Sequence, residues 1–300
     1  MRPVDLLALL VLGAAWGGSF LFIRIAVPAF GPVPLMAARV ALAALVLAGL
    51  AAARGRAVEL RPHWRGLLVL GAANAALPFV LIAAAEVHLT ASLASILNAA
   101  IPLWAAVIGA FGYGERLNGG QRAGLGVGVV GVVALVGWTP LRWTPEAGWA
   151  VAAMVAATAS YAWAGIYASR AMAGVPRPTL VLGQQVAAAA WLVVPALAAA
   201  PAARPTAGAT GALLGLVVVS TVVAYQLFFH LLERVGPTRT YTVTYLVPVF
   251  GVLWGWLLLD EPLTWGMLVG ACGVGTSLVL VNQIDVRQWV PSVAGRPRSA

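Results

Sequence analysis

Apolar residues fill this chain in blocks, most of them about as long as the 20 residues an α-helix needs to cross the hydrocarbon core of a bilayer, and short polar connections separate them. Ten blocks are legible, centred near Gly13, Ala44, Asn74, Pro102, Gly128, Ala157, Trp191, Val222, Phe250 and Val274. Long stretches carry no charge at all. The connections, such as Arg54 to Arg65, Gly114-Glu115-Arg116-Leu117 and Pro201 to Pro205, are too short to hold a soluble domain. The first block, Leu6 to Val27, is too long for the apolar core of a signal peptide and precedes many similar segments, so it reads as the first span.

The second half of the pattern repeats the first at a constant offset of 146 positions. Pro102 falls on Pro248, Glu115 on Glu261, Leu117 on Leu263, Gly120 on Gly266, Gly124 on Gly270, Ser92 on Thr238 and Arg24 on Arg170. Each copy holds five spans, an odd number, so the second enters the membrane upside down relative to the first. The expected fold is an all-α integral membrane protein of ten transmembrane helices in two inverted five-helix repeats, at 1–140 and 141–284, with a polar tail at 285–300. Inverted repeats of this kind place a solute near the bilayer midplane, where the two copies meet.

Charge fixes the expected orientation. The net charge of +9 is carried by arginine alone, and no basic face with interleaved aromatics offers a nucleic-acid site. If the N-terminus is cytoplasmic, fourteen of the eighteen arginines lie inside, from Arg2 and Arg54 through Arg116 and Arg239 to Arg298. Only Arg142 and Arg204 lie outside, with Arg24 and Arg39 near the outer ends of spans one and two. By the positive-inside rule both termini are cytoplasmic. The single cysteine, Cys272, excludes an internal disulfide framework.

Polar and aromatic residues inside spans are the candidate solute contacts, because they are costly against lipid. Span three offers Asn74 and Pro78, four apart; span four offers Ser95, Asn98 and Pro102; span nine offers Tyr241, Thr244, Tyr245 and Pro248. Pro102 and Pro248 are expected to break their helices and free the carbonyls of Asn98 and Thr244. Trp16, Tyr161, Trp163, Tyr225 and Phe229, with Gln226 beside them, would line a cavity suited to an apolar or aromatic side chain; each is equally readable as a packing residue. Arg39 can bind a carboxylate or reach the outer interface. No carboxylate sits at mid-span: Glu86, Glu115, Asp260 and Glu261 are at helix ends. Glycines on spans five and ten, at Gly120, Gly124, Gly128, Gly266 and Gly270, are expected to pack those two helices together and leave the chain a monomer. No Walker loop, dinucleotide fingerprint or HExxH motif appears, so no cofactor is expected.

The motifs Trp16-Gly17-Gly18-Ser19-Phe20, Ala38-Arg39, Ala76-Leu77-Pro78-Phe79, Ile101-Pro102 through Glu115-Arg116-Leu117, and Val247-Pro248 through Asp260-Glu261-Pro262-Leu263 resemble the drug/metabolite transporter superfamily, in its branch with two EamA-like domains. The resemblance covers about residues 5–283. It implies a non-enzymatic exporter or exchanger of small metabolites in the inner membrane and adds Phe79 to the candidate contacts. Amino acids, aromatic ones included, are the first expectation. A sugar-phosphate or nucleotide-sugar exchanger is the alternative within the family, and an intramembrane enzyme the alternative outside it.

Overall fold

The computed structural model describes residues 2–55, 57–138, 144–199 and 204–281. Arg142, the 285–300 tail with its three arginines, and most of the Pro201 to Pro205 connection lie outside the described residues. The expected ten helices are present: α1 Pro3–Phe30, α2 Pro32–Ala53, α3 Arg61–Ala85, α4 Ala91–Tyr113, α5 Gly119–Trp138, α6 Pro145–Ala171, α7 Arg177–Ala198, α8 Ala207–Arg234, α9 Val243–Leu259 and α10 Trp265–Val281. Eight are long and apolar enough to cross a bilayer; α9 and α10 are shorter. Pro3 and Val281 lie at one end of the bundle, called here the terminal face; the other is the distal face.

Threonine and asparagine start several helices by accepting a hydrogen bond from an otherwise unpaired amide in the first turn. Thr90 receives Leu93 N, Thr144 receives Ala147 N and Thr206 receives Ala209 N. The caps of α5 and α10 are the same bond made twice: Asn118 Oδ1 takes Gln121 N, and 146 residues on Thr264 Oγ1 takes Met267 N. The turns that precede them match as well. Gly114 and Asp260 both adopt the left-handed conformation, at φ 69° and 53°, and the amides of Glu115 and Glu261 both close back on a glycine carbonyl, Gly109 and Gly255.

The helices α5 and α10 pack antiparallel along a glycine seam. Without a hydrophobic driving force between helices in lipid, close approach of small residues supplies the contact. A Cβ on Gly273 would stand 2.7 Å from Gly131 Cα. Gly124 lies against Val281, and its repeat mate Gly270 lies against Leu135, the mate of Val281. Ser277 Oγ donates to Gly124 O at 2.5 Å across the seam. The expected packing of these two helices is therefore present, but its glycines are Gly124, Gly128, Gly131, Gly270 and Gly273; a Cβ on Gly120 would meet only Asn118.

Two departures from α-helix repeat at the 146-residue offset. A wide π-turn occupies Ala72–Ala76 in α3 and another occupies Val218–Val223 in α8. Each crosses a helix of the other repeat and bonds to it: Ser160 Oγ of α6 donates to Ala73 O, and Ser220 Oγ of α8 donates to Ala15 O of α1. A third departure was expected in both copies and occurs as expected in one. Helix α4 breaks at Ala99–Ala100 through tight bonds to Ile96 O and Leu97 O, and Pro102 starts its second half. Pro248 instead lies inside the continuous helix α9, and the irregular turn falls earlier, at Tyr241–Thr242. Proline at 248 removes only the bond that its own amide would make to Thr244 O, and the rest of α9 stays helical around it.

The seam predicts a position-specific cost. Gly131→Leu should destabilise the detergent-solubilised protein by about 1–3 kcal/mol through overpacking. Gly126→Ala, on the same helix with nothing within 4 Å of its Cβ, should be neutral. Thermal unfolding of the two variants side by side checks this, and equal stabilities would contradict the seam.

Candidate functional site

Side chains from five helices meet in the bundle interior. Asn74, held in the π-turn of α3, donates through Nδ2 to Gln184 Oε1 of α7 at 2.8 Å. Gln184 Nε2 in turn donates to the Tyr225 hydroxyl of α8 at 2.9 Å. Phe79, one turn along α3, packs edge-on to Tyr161 of α6 with ring centroids 6.3 Å apart. Tyr225 stacks on Phe229 at 6.3 Å and meets Trp16 of α1 edge-on at 6.4 Å. Asn74, Phe79, Tyr161, Tyr225, Phe229 and Trp16 thus form one polar and aromatic cluster, and Pro78 is buried beside it in α3.

Below the cluster a cavity of about 260 Å³ runs towards the terminal face between α2, α7 and α8. Leu47, Val181, Leu182 and Phe229 line its depth, and Arg54, Arg177 and Glu233 its mouth. Gln226 faces this mouth, accepting from Arg54 Nη1 at 3.0 Å, rather than the cluster. An exposed ion pair at 3.7 Å joins Arg177 to Glu233 there.

Other expected contacts lie elsewhere. Trp163 is 37% exposed and stacks on Tyr167 at 5.2 Å. Tyr241 is 55% exposed, edge-on to Phe228. Thr244 donates to Tyr241 O in its own turn. Tyr245 and Pro248 line a separate, apolar cavity of about 300 Å³ between α4, α9 and α10. Ser95 is fully buried, donating to Ser92 O and pressed against Gly251 of α9, which also touches Gly17 of α1. Asn98 keeps its Oδ1 buried without a hydrogen-bond partner, and Pro102 is half-buried at the break in α4.

Three residues enter the cluster that the sequence reading did not place there. Gln184 and Thr221 were overlooked, although each is a polar residue in an apolar span. Arg39 was assigned between a carboxylate contact and the outer interface; it is 5% exposed, donates through Nε to Thr221 Oγ1 at 3.2 Å and lies 4.0 Å from the Phe79 ring centroid. Arg24 serves a helix end, donating to the carbonyls of Glu86 and Val87. Glu86 is 0% exposed with both carboxyl oxygens unpartnered.

The two faces are closed unequally. At the distal face Glu261 caps the first turn of α4: its oxygens accept from Ala91 N at 2.8 Å, Ser92 N at 2.9 Å and Ser92 Oγ at 2.5 Å. A carboxylate at a helix N-terminus is favoured by the helix dipole and by otherwise unpaired amides. Its repeat mate Glu115, with the same local backbone, lies on the surface of the terminal face and pairs with Arg170 at 2.6 Å, the two side chains 58% and 49% exposed.

A multi-pass bundle of two inverted repeats, with a cavity opening towards one face, has the architecture of a membrane transporter. The chain belongs to the EamA-like transporter family, whose model matches residues 4–137 and again 148–283. It is 29% identical, over 97% of its length and 98% of the relative's, to a "Probable amino-acid metabolite efflux pump" of Escherichia coli K12. It is 27% identical, over 96% and 97%, to a "Probable terminal-alkyne amino-acid exporter" of Streptantibioticus cattleyicolor. It is 24% identical, over 86% and 83%, to an "Uncharacterized inner membrane transporter" of Escherichia coli K12. A crystal structure shares the fold at a TM-score of 0.66 and 21% identity, covering 96% of this chain and 99% of that one.

The unequal caps predict unequal costs. Glu261→Gln removes the charge from three buried hydrogen bonds and should cost about 2 kcal/mol of stability. Glu115→Gln breaks an exposed pair and should cost less than about 1 kcal/mol. Denaturant unfolding of both variants tests this, and a Glu115→Gln cost equal to that of Glu261→Gln would contradict the capping geometry.

Proposed function

We propose that the protein exports amino acids, those with apolar or aromatic side chains foremost, by alternating access and without enzymatic chemistry. It works as a monomer in the inner membrane, with its terminal face cytoplasmic. The observation that carries the reading is the cavity at the terminal face beneath the Gln184–Tyr225 cluster, opposite the face where Glu261 caps α4. An inverted pair of repeats reaches its second state by exchanging the conformations of its halves. In that state Glu115 leaves Arg170 to cap the short helix Pro237–Thr240 that precedes α9, while Glu261 releases Ala91 and Ser92. The printed names of the two amino-acid relatives support the substrate class. The aromatic cluster supports the side-chain preference, since flat rings pack apolar groups while the amide of Gln184 serves polar ones.

Proteoliposomes holding the full chain should take up tritiated L-phenylalanine against an unlabelled internal pool. Tyr225→Ala should lower that flux about tenfold, the equivalent of about 1.4 kcal/mol, and Trp163→Ala should leave it nearly unchanged. Glu115→Gln should depress flux although it barely alters stability. Absence of protein-dependent flux across an amino-acid panel would remove the substrate class. The orientation has its own test: with Cys272→Ser as background, Arg116→Cys should react with an impermeant thiol reagent only from the cytoplasm and Leu263→Cys only from outside. Reaction of both from one side would overturn it.

A further inference from the structure

One positive charge inside the bundle has no ion-pair partner among the described residues. Arg39 is the eighth of the 22 residues of α2, roughly 5 Å of helical rise from the middle of that span. Its Nε is engaged by Thr221. The ion pairs among the described residues are Arg170–Glu115, Arg177–Glu233 and Arg234–Asp5, none of which involves Arg39. Glu86, the buried acid whose field reaches it, is not bonded to it. A guanidinium stays protonated in proteins, and a charge buried in a membrane protein is paired or marks the path of a solute.

The surroundings point to what would complete it. Thr221 fixes the Nε edge of the guanidinium, which leaves the edge formed by the two terminal nitrogens. That edge matches the two oxygens of a carboxylate. Phe79 covers one face of the group, and the hydroxyls of Tyr161 and Tyr225 lie within its field. Next along α7 from Gln184, the side-chain amide of Gln185 is buried with neither its nitrogen nor its oxygen hydrogen-bonded. Thr221, Tyr225 and Phe229 are spaced by four along α8, so one helix face leads from Arg39 down to the cavity that Phe229 lines.

We propose that Arg39 anchors the carboxylate of the transported solute. The site therefore takes carboxylate-bearing solutes and rejects the matching amides and amines. This rests on the export reading above and narrows it. The alternative role, a brace that only ties α2 to α8 and Phe79, predicts a loss of stability on substitution but no discrimination between an acid and its amide.

The test uses the purified full chain and two probes without an amino group, 3-phenylpropionate and 3-phenylpropanamide. The acid should raise the unfolding temperature and the amide should not. In proteoliposomes, L-phenylalanine should compete with its own labelled form at least about tenfold better than L-phenylalaninamide, as expected where a charge-assisted bidentate contact is lost. Arg39→Gln should abolish both preferences. Arg39→Lys, which keeps the charge and loses the fork, should weaken them about tenfold and serves if Arg39→Gln does not fold. Equal competition by acid and amide, or an unchanged preference in Arg39→Lys, overturns the anchor. Flux without acid preference leaves the export reading standing and removes Arg39 from it. Stabilisation by the acid without amino-acid flux does the reverse. Neither stabilisation nor flux overturns both.

Discussion

Lipid offers no hydrogen bonds, and this constraint organises the molecule. A backbone group that leaves the helical ladder inside a bilayer must find a partner within the protein. The departures seen here observe that rule. The π-turn of α3 gives the carbonyl of Ala73 to Ser160, and the break in α4 is held by tight local bonds. The otherwise unpaired amides at the start of α4 go to Glu261. Both π-turns lie where the two repeats touch, one lending the carbonyl of Ala73 to Ser160 and the other placing Ser220 on the carbonyl of Ala15. Those are also the places where a bundle can deform at low cost, since a wide turn already holds bonds of more than one register.

The same constraint makes the symmetry informative. Contacts that serve only to hold the fold recur in both copies: Gly124 on Val281 and Gly270 on Leu135, or the caps at Asn118 and Thr264. Other contacts differ between the copies. Glu261 and Glu115 share one backbone geometry and have unlike partners. The difference therefore arises from the relative placement of the helices and not from the local turn.

The sequence carried the height of each residue in the membrane well and its direction around the helix poorly. Helix number, the inverted duplication and the α5–α10 packing all follow from linear spacing, and all are present. Trp163 is chosen by depth and Tyr241 by its helical spacing from Tyr245 and Pro248, and both turn outward. Arg39 was read as near an end of its span, yet it points into the bundle. In a soluble helix, polarity on one side tells which way a residue faces. When the environment is apolar on every side that signal vanishes. Gln184 and Thr221 were available as isolated polar residues in apolar spans, and Asn74 was found by that signal. The π-turns have no comparable signature beyond the polar residues they hold. Pro248 shows the opposite limit: proline permits a break without dictating where it falls.

The three-helix crossing of Gly17, Ser95 and Gly251 has one further implication. Adding 146 to the first two gives Trp163 and Tyr241, and subtracting it from the third gives Ala105. Small side chains let the distal crossing close with main chain nearly against main chain, whereas the matching positions carry two large rings, both turned outward. The halves are related by rotation in topology but are unlike in bulk, so if they exchange conformations as proposed, the two arrangements would differ in free energy and be unequally occupied even without a gradient. Thermodynamics forbids such a bias from creating net pumping. It sets instead which side waits empty, and hence from which compartment an arriving molecule is admitted without delay.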